Sequence, residues 1–113
     1  MSSIVIPPMP VGDPAGMREL ASVCKTAAST LGPLGDDVGA LPKQMTFEGP
    51  GADAFQGRMQ SLGSRISAAA YQLQDFAGRL ESAAAEVDRQ LAAREAALRQ
   101  LAEEQRLEAR AIR

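Results

Sequence analysis

Apolar residues recur at alternating steps of three and four along two stretches of this chain, with one short Gly/Pro-containing segment between them. The first stripe reads Met17, Leu20, Cys24, Ala27, Leu31, Leu34, Val38, Leu41, Met45. The second reads Phe55, Met59, Leu62, Ile66, Ala69, Leu73, Phe76, Leu80, Ala83, Val87. A mean spacing near 3.5 residues places each set on one side of a helix, in the manner of a coiled-coil seam. The interruption is Thr46-Phe47-Glu48-Gly49-Pro50-Gly51. Two helices, one turn and one shared seam predict an all-α fold, an antiparallel two-helix hairpin.

The helix boundaries follow from local chemistry. Asp13 is suited to cap the first free N–H groups, and Pro14 fits the first helical position because its missing N–H has no partner to lose there. Gly32-Pro33 falls inside helix 1. A mid-helix proline removes one backbone hydrogen bond and crowds the preceding turn, at a cost of about 3 kcal/mol. The stripe keeps its phase across the pair, so the prediction is a helix kinked or briefly broken near Gly32-Pro33. The turn is expected at 46–50. Pro50 opens helix 2, with Asp53 near the positive end of its dipole. Strong helix formers dominate from there to about residue 110.

Helix 2 should be about twice as long as helix 1, roughly 90 Å against roughly 48 Å. A symmetric fold-back would set residue 14 near residue 82. The chain therefore divides into a proline-rich, extended or disordered 1–12, a hairpin over 13–85, and a helical arm over 86–113. Val87, Leu91, Leu98 and Leu101 continue the stripe weakly into the arm. Leu91, Leu98 and Leu101 are candidate contacts for another chain.

Composition excludes several function classes. No histidine is present, which removes imidazole acid–base and metal chemistry, and a single cysteine with no histidine makes no zinc site. The carboxylate pairs Asp36-Asp37 and Glu103-Glu104 are adjacent in sequence and point apart on a helix. No catalytic, cofactor-binding or metal-binding residues are assigned, and the chain is read as non-enzymatic. With a net charge of −2 and interspersed signs, nothing favours nucleic acid. No apolar run reaches the roughly 20 residues of a membrane helix, and the first residues lack the basic and apolar regions of a secretory leader. Cys24, on the apolar stripe, reads as a buried thiol.

A two-helix layer buries little surface, which argues for a partner. Small residues run beside each stripe: Ala28, Gly32, Gly35 and Gly39 on helix 1, and Gly57, Ser61, Ser64 and Ala68 on helix 2. They are expected to form a second packing face, giving a four-helix bundle on dimerisation.

The segment Phe47-Glu48-Gly49, followed by Ala52-Asp53-Ala54-Phe55, resembles the turn of the WXG-type, ESAT-like proteins of type VII secretion in Gram-positive bacteria. Phe47 and Gly49 stand where that family has Trp-x-Gly, and Phe55 matches its apolar residue one turn into the second helix. The resemblance spans roughly residues 13–85. It implies a dimeric substrate or companion, as homodimer or as heterodimer with another hairpin, made in the cytoplasm and exported or displayed without a cleaved signal. It further implies contact with a secretion ATPase. The family's export signal is Tyr-x-x-x-Asp/Glu after helix 2. Here Tyr71 and Asp75 have the spelling but lie halfway along the helix, and the tail has no tyrosine. Two other readings stay open: a coiled-coil adaptor within a larger assembly, and an excised helical domain of a longer protein.

Overall fold

The computed structural model describes residues 4–44 and 48–112. Two helices make up nearly all of it: α1, Pro14–Gln44, and α2, Pro50–Ala111. They pack antiparallel into a rod of 97 × 18 × 12 Å. The 62 residues of α2 alone span about 93 Å, so α2 sets the length and α1, half as long, lies beside the middle of it. No strand occurs among the described residues.

Both helices open on the expected proline, Pro14 and Pro50. The Met17 N–H donates to the Asp13 carbonyl at 2.9 Å, closing the first turn behind Pro14. Gly49 precedes α2 with φ +102, a backbone region that favours glycine, and its carbonyl accepts from the Ala52 N–H at 3.1 Å. Of the turn motif, Phe47 lies outside the described residues, as do Met45 and Thr46. Phe55 is half-buried.

α1 runs through Gly32-Pro33 without a break. Pro33 is exposed and so is Ser29, the residue whose carbonyl loses its N–H partner. Water reaches that carbonyl, which removes the need to interrupt the helix. Pro42 instead faces inward and is buried.

The seam is where expectation and structure part. Besides Cys24, Ala52 and Val87, the buried residues of the two helices are small and repeat every seven positions. On α1 they are Ala21, Ala28, Gly35 and Pro42; on α2 they are Gly63, Ala70, Ala77 and Ala84. Among the described residues no large side chain is fully buried. A Cβ added to Gly63 would stand 2.6 Å from the Gly35 carbonyl oxygen and 2.7 Å from the Gly39 nitrogen. The two backbones therefore touch at this crossing. Close approach of small residues supplies dispersion contact along the whole seam, and the leucines are displaced to its flank. Ala28, Gly35 and Gly39, expected on a separate partner face, belong to the hairpin's own seam.

Register also differs from the symmetric fold-back. Arg18 pairs with Asp88 at 2.5 Å and Lys25 pairs with Glu81. The start of α1 thus lies beside Val87 and Asp88, between one and two turns beyond residue 82. α2 begins further out along the hairpin axis than a symmetric turn would place it, so intramolecular pairing extends past residue 85 to about 88.

The proline-rich N-terminus has a place as well. Ile4, Ile6, Pro7 and Pro10 are half-buried, and so are Leu91, Arg94, Leu101 and Glu104 on the arm. A Cβ on Gly12 would lie 3.4 Å from Val87 Cγ2, which locates the C-terminal end of the segment. From there an extended run back to Ile4 covers about 25 Å, the length of α2 from Val87 to Glu104. α1 does not reach this far along α2, and the segment's length and end point suit a course along the arm. Arg94 Nε on the arm is buried without a hydrogen-bond partner. Val5, Met9 and Val11 of the segment are largely exposed.

A candidate partner-binding face

Heptad geometry divides the surface of the hairpin into two unlike sides. Cys24 clusters with Ala21 and Ala77 beneath Leu73 and Leu80. That contact shows that the Cys24 edge of α1 and the Leu73 edge of α2 share one side. Continuing outward on this side, α1 carries Leu20, Val23, Ala27, Leu34 and Leu41, and α2 carries Phe55, Leu62, Ala69, Phe76 and Ala83. Leu34 is 45% exposed, Leu62 43% and Phe76 47%. The opposite side holds the Arg18–Asp88 and Lys25–Glu81 pairs, with Gly39, Ser67 and Gln74 beside shallow grooves.

The apolar side is one continuous surface about 46 Å long, the length of α1. Scattered exposed leucines are ordinary on a folded protein, whereas a contiguous apolar layer of this size is a candidate interaction surface. Its cause is the small-residue seam. Had the leucines met each other between the helices, they would have been consumed by the hairpin. Because alanine and glycine meet there instead, Leu20, Leu34, Leu62 and Phe76 each keep one flank uncovered.

The other sequence-selected residues fall as follows. Gly57, Ser61 and Ser64 are exposed, and Gly32 is half-buried. No atom lies within 4 Å of where a Gly32 or Gly57 Cβ would stand, so neither site brings backbones together. Leu91 and Leu101 are half-buried, whereas Leu98 is exposed. Tyr71 stands out at 73% exposure on the groove side. Asp75 pairs with Arg79 at 3.0 Å and makes no hydrogen bond with Tyr71. Cys24 is buried and free. Among the described residues no cluster of His, Cys, Asp or Glu could hold a metal, and no helix is long and apolar enough to cross a membrane. On the arm, Arg89 donates to the Glu86 carboxylate. That hydrogen bond, aided by the charge of Arg89 and a further bond from Gln90, holds the Glu86 carboxyl below its ordinary range.

The sequence carried a signal for the true seam, namely the seven-residue repeat of small residues in both helices. Reading the most apolar stripe as the seam passes over it. Compared with known proteins, the chain matches no family model and has no significant match to a characterised protein or a solved structure.

Proposed function

We propose that this chain is a WXG-like helical-hairpin protein that works by association, as a dimeric substrate or companion in type VII secretion. The observation that supports it most is the uncovered apolar side of a two-helix layer. A second hairpin stacked there completes a four-helix bundle and gives the large side chains a core. The turn chemistry at Gly49-Pro50 and the half-buried Phe55 are compatible with the resemblance. The action is non-enzymatic, and the surface itself is the functional element.

The companion role suits the chain better than that of signal bearer. Tyr71 and Asp75 lie inside the paired region of α2, far from either helix end, and Asp75 is already engaged by Arg79. The partner hairpin then supplies the export signal. An adaptor role in a larger assembly draws support from the outer arm, where Leu98 and Leu107 remain exposed.

Export is tested in the native host by measuring the chain in culture medium with the secretion ATPase intact and deleted. ATPase-dependent appearance outside the cell, with a second hairpin protein in equal amount, is the expected result. Retention inside the cell under both conditions would remove the secretion reading.

A further inference from the structure

We infer that the arm of α2 beyond α1 is a binding strip for an extended, proline-rich segment, and that the chain's own residues 4–10 fill it as a polyproline II strap. This stands apart from the secretion reading above and concerns the end of the rod opposite the turn.

Periodicity within the segment is the first argument. Residues 4–10 belong to no helix or strand. Ile4, Pro7 and Pro10 are half-buried, whereas Val5, Pro8 and Val11 are exposed. Ile6 joins the inner edge and Met9 the outer one. A step of three is one turn of a polyproline II helix, so one edge faces the protein and the next faces water. Pro7, Pro8 and Pro10 hold φ near the value this helix needs and offer no N–H for a ladder. The strap is therefore held by its side chains.

Register is the second. The contact that a Gly12 Cβ would make with Val87 fixes one end. At about 3.1 Å per strap residue and about 1.5 Å per residue of α2, Pro10 comes level with Leu91, Pro7 with Ala97 and Ile4 with Glu104. Those three arm residues are half-buried, although α1 begins beside Asp88. One strap turn rises about 9.3 Å and two turns of α2 about 10.8 Å. Successive inner residues thus keep meeting one face of the arm.

The third argument is a change in the seam. Against α1 it is Gly63, Ala70, Ala77 and Ala84, which admit a helix at close range. At the next two repeats the same face carries Leu91 and Leu98, too large for that approach. A single extended chain needs no such approach, and a polyproline II segment is pre-ordered, so it loses little entropy on docking.

The test uses the full chain with Cys24→Ala and one new cysteine on each side. Under mild oxidation, Pro10→Cys with Leu91→Cys and Ile4→Cys with Glu104→Cys should close to intramolecular disulfides about 10-fold faster than the offset pair Ile4→Cys with Leu91→Cys. Equal rates for all three describe a loose tail and overturn the inference, as does failure of the level pairs to close. Hydrogen exchange gives a readout free of cysteine. Pro7→Gly/Pro10→Gly should speed exchange in 89–104 roughly tenfold and leave 20–85 unchanged, whereas Val5→Ala/Val11→Ala on the outer edge should change neither. A free peptide of residues 4–12, added to the Pro7→Gly/Pro10→Gly chain at about 1 mM, the effective concentration of a short tether, should restore slow exchange. An arm indifferent to Pro7→Gly/Pro10→Gly, or equally sensitive to Val5→Ala/Val11→Ala, overturns the strap. A peptide without effect overturns the binding strip.

Discussion

Gly63→Ala is the most direct probe of this fold, because one methyl group is enough to force the helices apart. The new Cβ would sit 2.6 to 2.8 Å from the Gly35 carbonyl oxygen and from the Gly39 nitrogen and Cα. All three are backbone atoms and cannot rotate away. Ordinary contact needs 3.4 Å or more, so the crossing must open by about 0.6 to 0.8 Å, and dispersion contact is lost along neighbouring turns. Overpacking of this kind costs about 1–3 kcal/mol. Replacing glycine by alanine in a helix interior returns about 1 kcal/mol through propensity. The net expectation is a destabilisation of about 1 kcal/mol. The control is the same substitution at Gly57 and Gly78, where no atom lies within 4 Å of the added group. There only propensity acts, and both variants should gain about 0.5–1 kcal/mol. For a chain this size, 1 kcal/mol moves Tm by about 4 °C. Thermal unfolding followed by circular dichroism at fixed protein concentration should thus show Gly63→Ala below wild type, and Gly57→Ala and Gly78→Ala above it. If Gly63→Ala rises with the other two, the backbones do not touch at this crossing, and the small-residue seam is wrong.

The other expectations concern separate parts of the rod. Cys24 is buried between Ala21 and Ala77, so a thiol reagent should label it slowly in the native protein and at once in denaturant. Rapid native labelling would contradict its burial. Removing residues 1–12 should uncover Leu91 and Leu101, and hydrogen exchange should then speed up in 89–108 while 20–85 stays protected. Unchanged exchange in the arm would show that the N-terminal segment does not cover it. Arg89 holds the Glu86 carboxyl below its ordinary range. A carboxyl with a depressed folded value stabilises above its unfolded pKa and loses that contribution as pH falls through the folded one. Acid titration by NMR should therefore place the Glu86 midpoint below those of other surface glutamates, and Arg89→Ala should return it to the ordinary range. Because the pair is exposed, Tm should barely respond.

The helices and their order were legible in the residues themselves. A spacing near 3.5, Asp13-Pro14 at one start and Gly49-Pro50 at the other specify two helices and a bend, since these are local effects between residues a few positions apart. The unequal lengths followed from the uninterrupted run of helix formers after Pro50. Three-dimensional packing decided what faced what. Apolar periodicity identifies an apolar side but not which part of it meets the neighbouring helix, because a stripe about 100° wide holds two candidate seams. Ala21, Ala28 and Gly35 won over Leu20, Leu34 and Leu41 because small residues let backbones approach along their full length. Leucine flanking such a contact still buries half its surface. The stagger that sets Arg18 against Asp88 likewise depends on contacts between residues 70 positions apart. No local preference encodes such contacts. They are settled only by how two long surfaces fit.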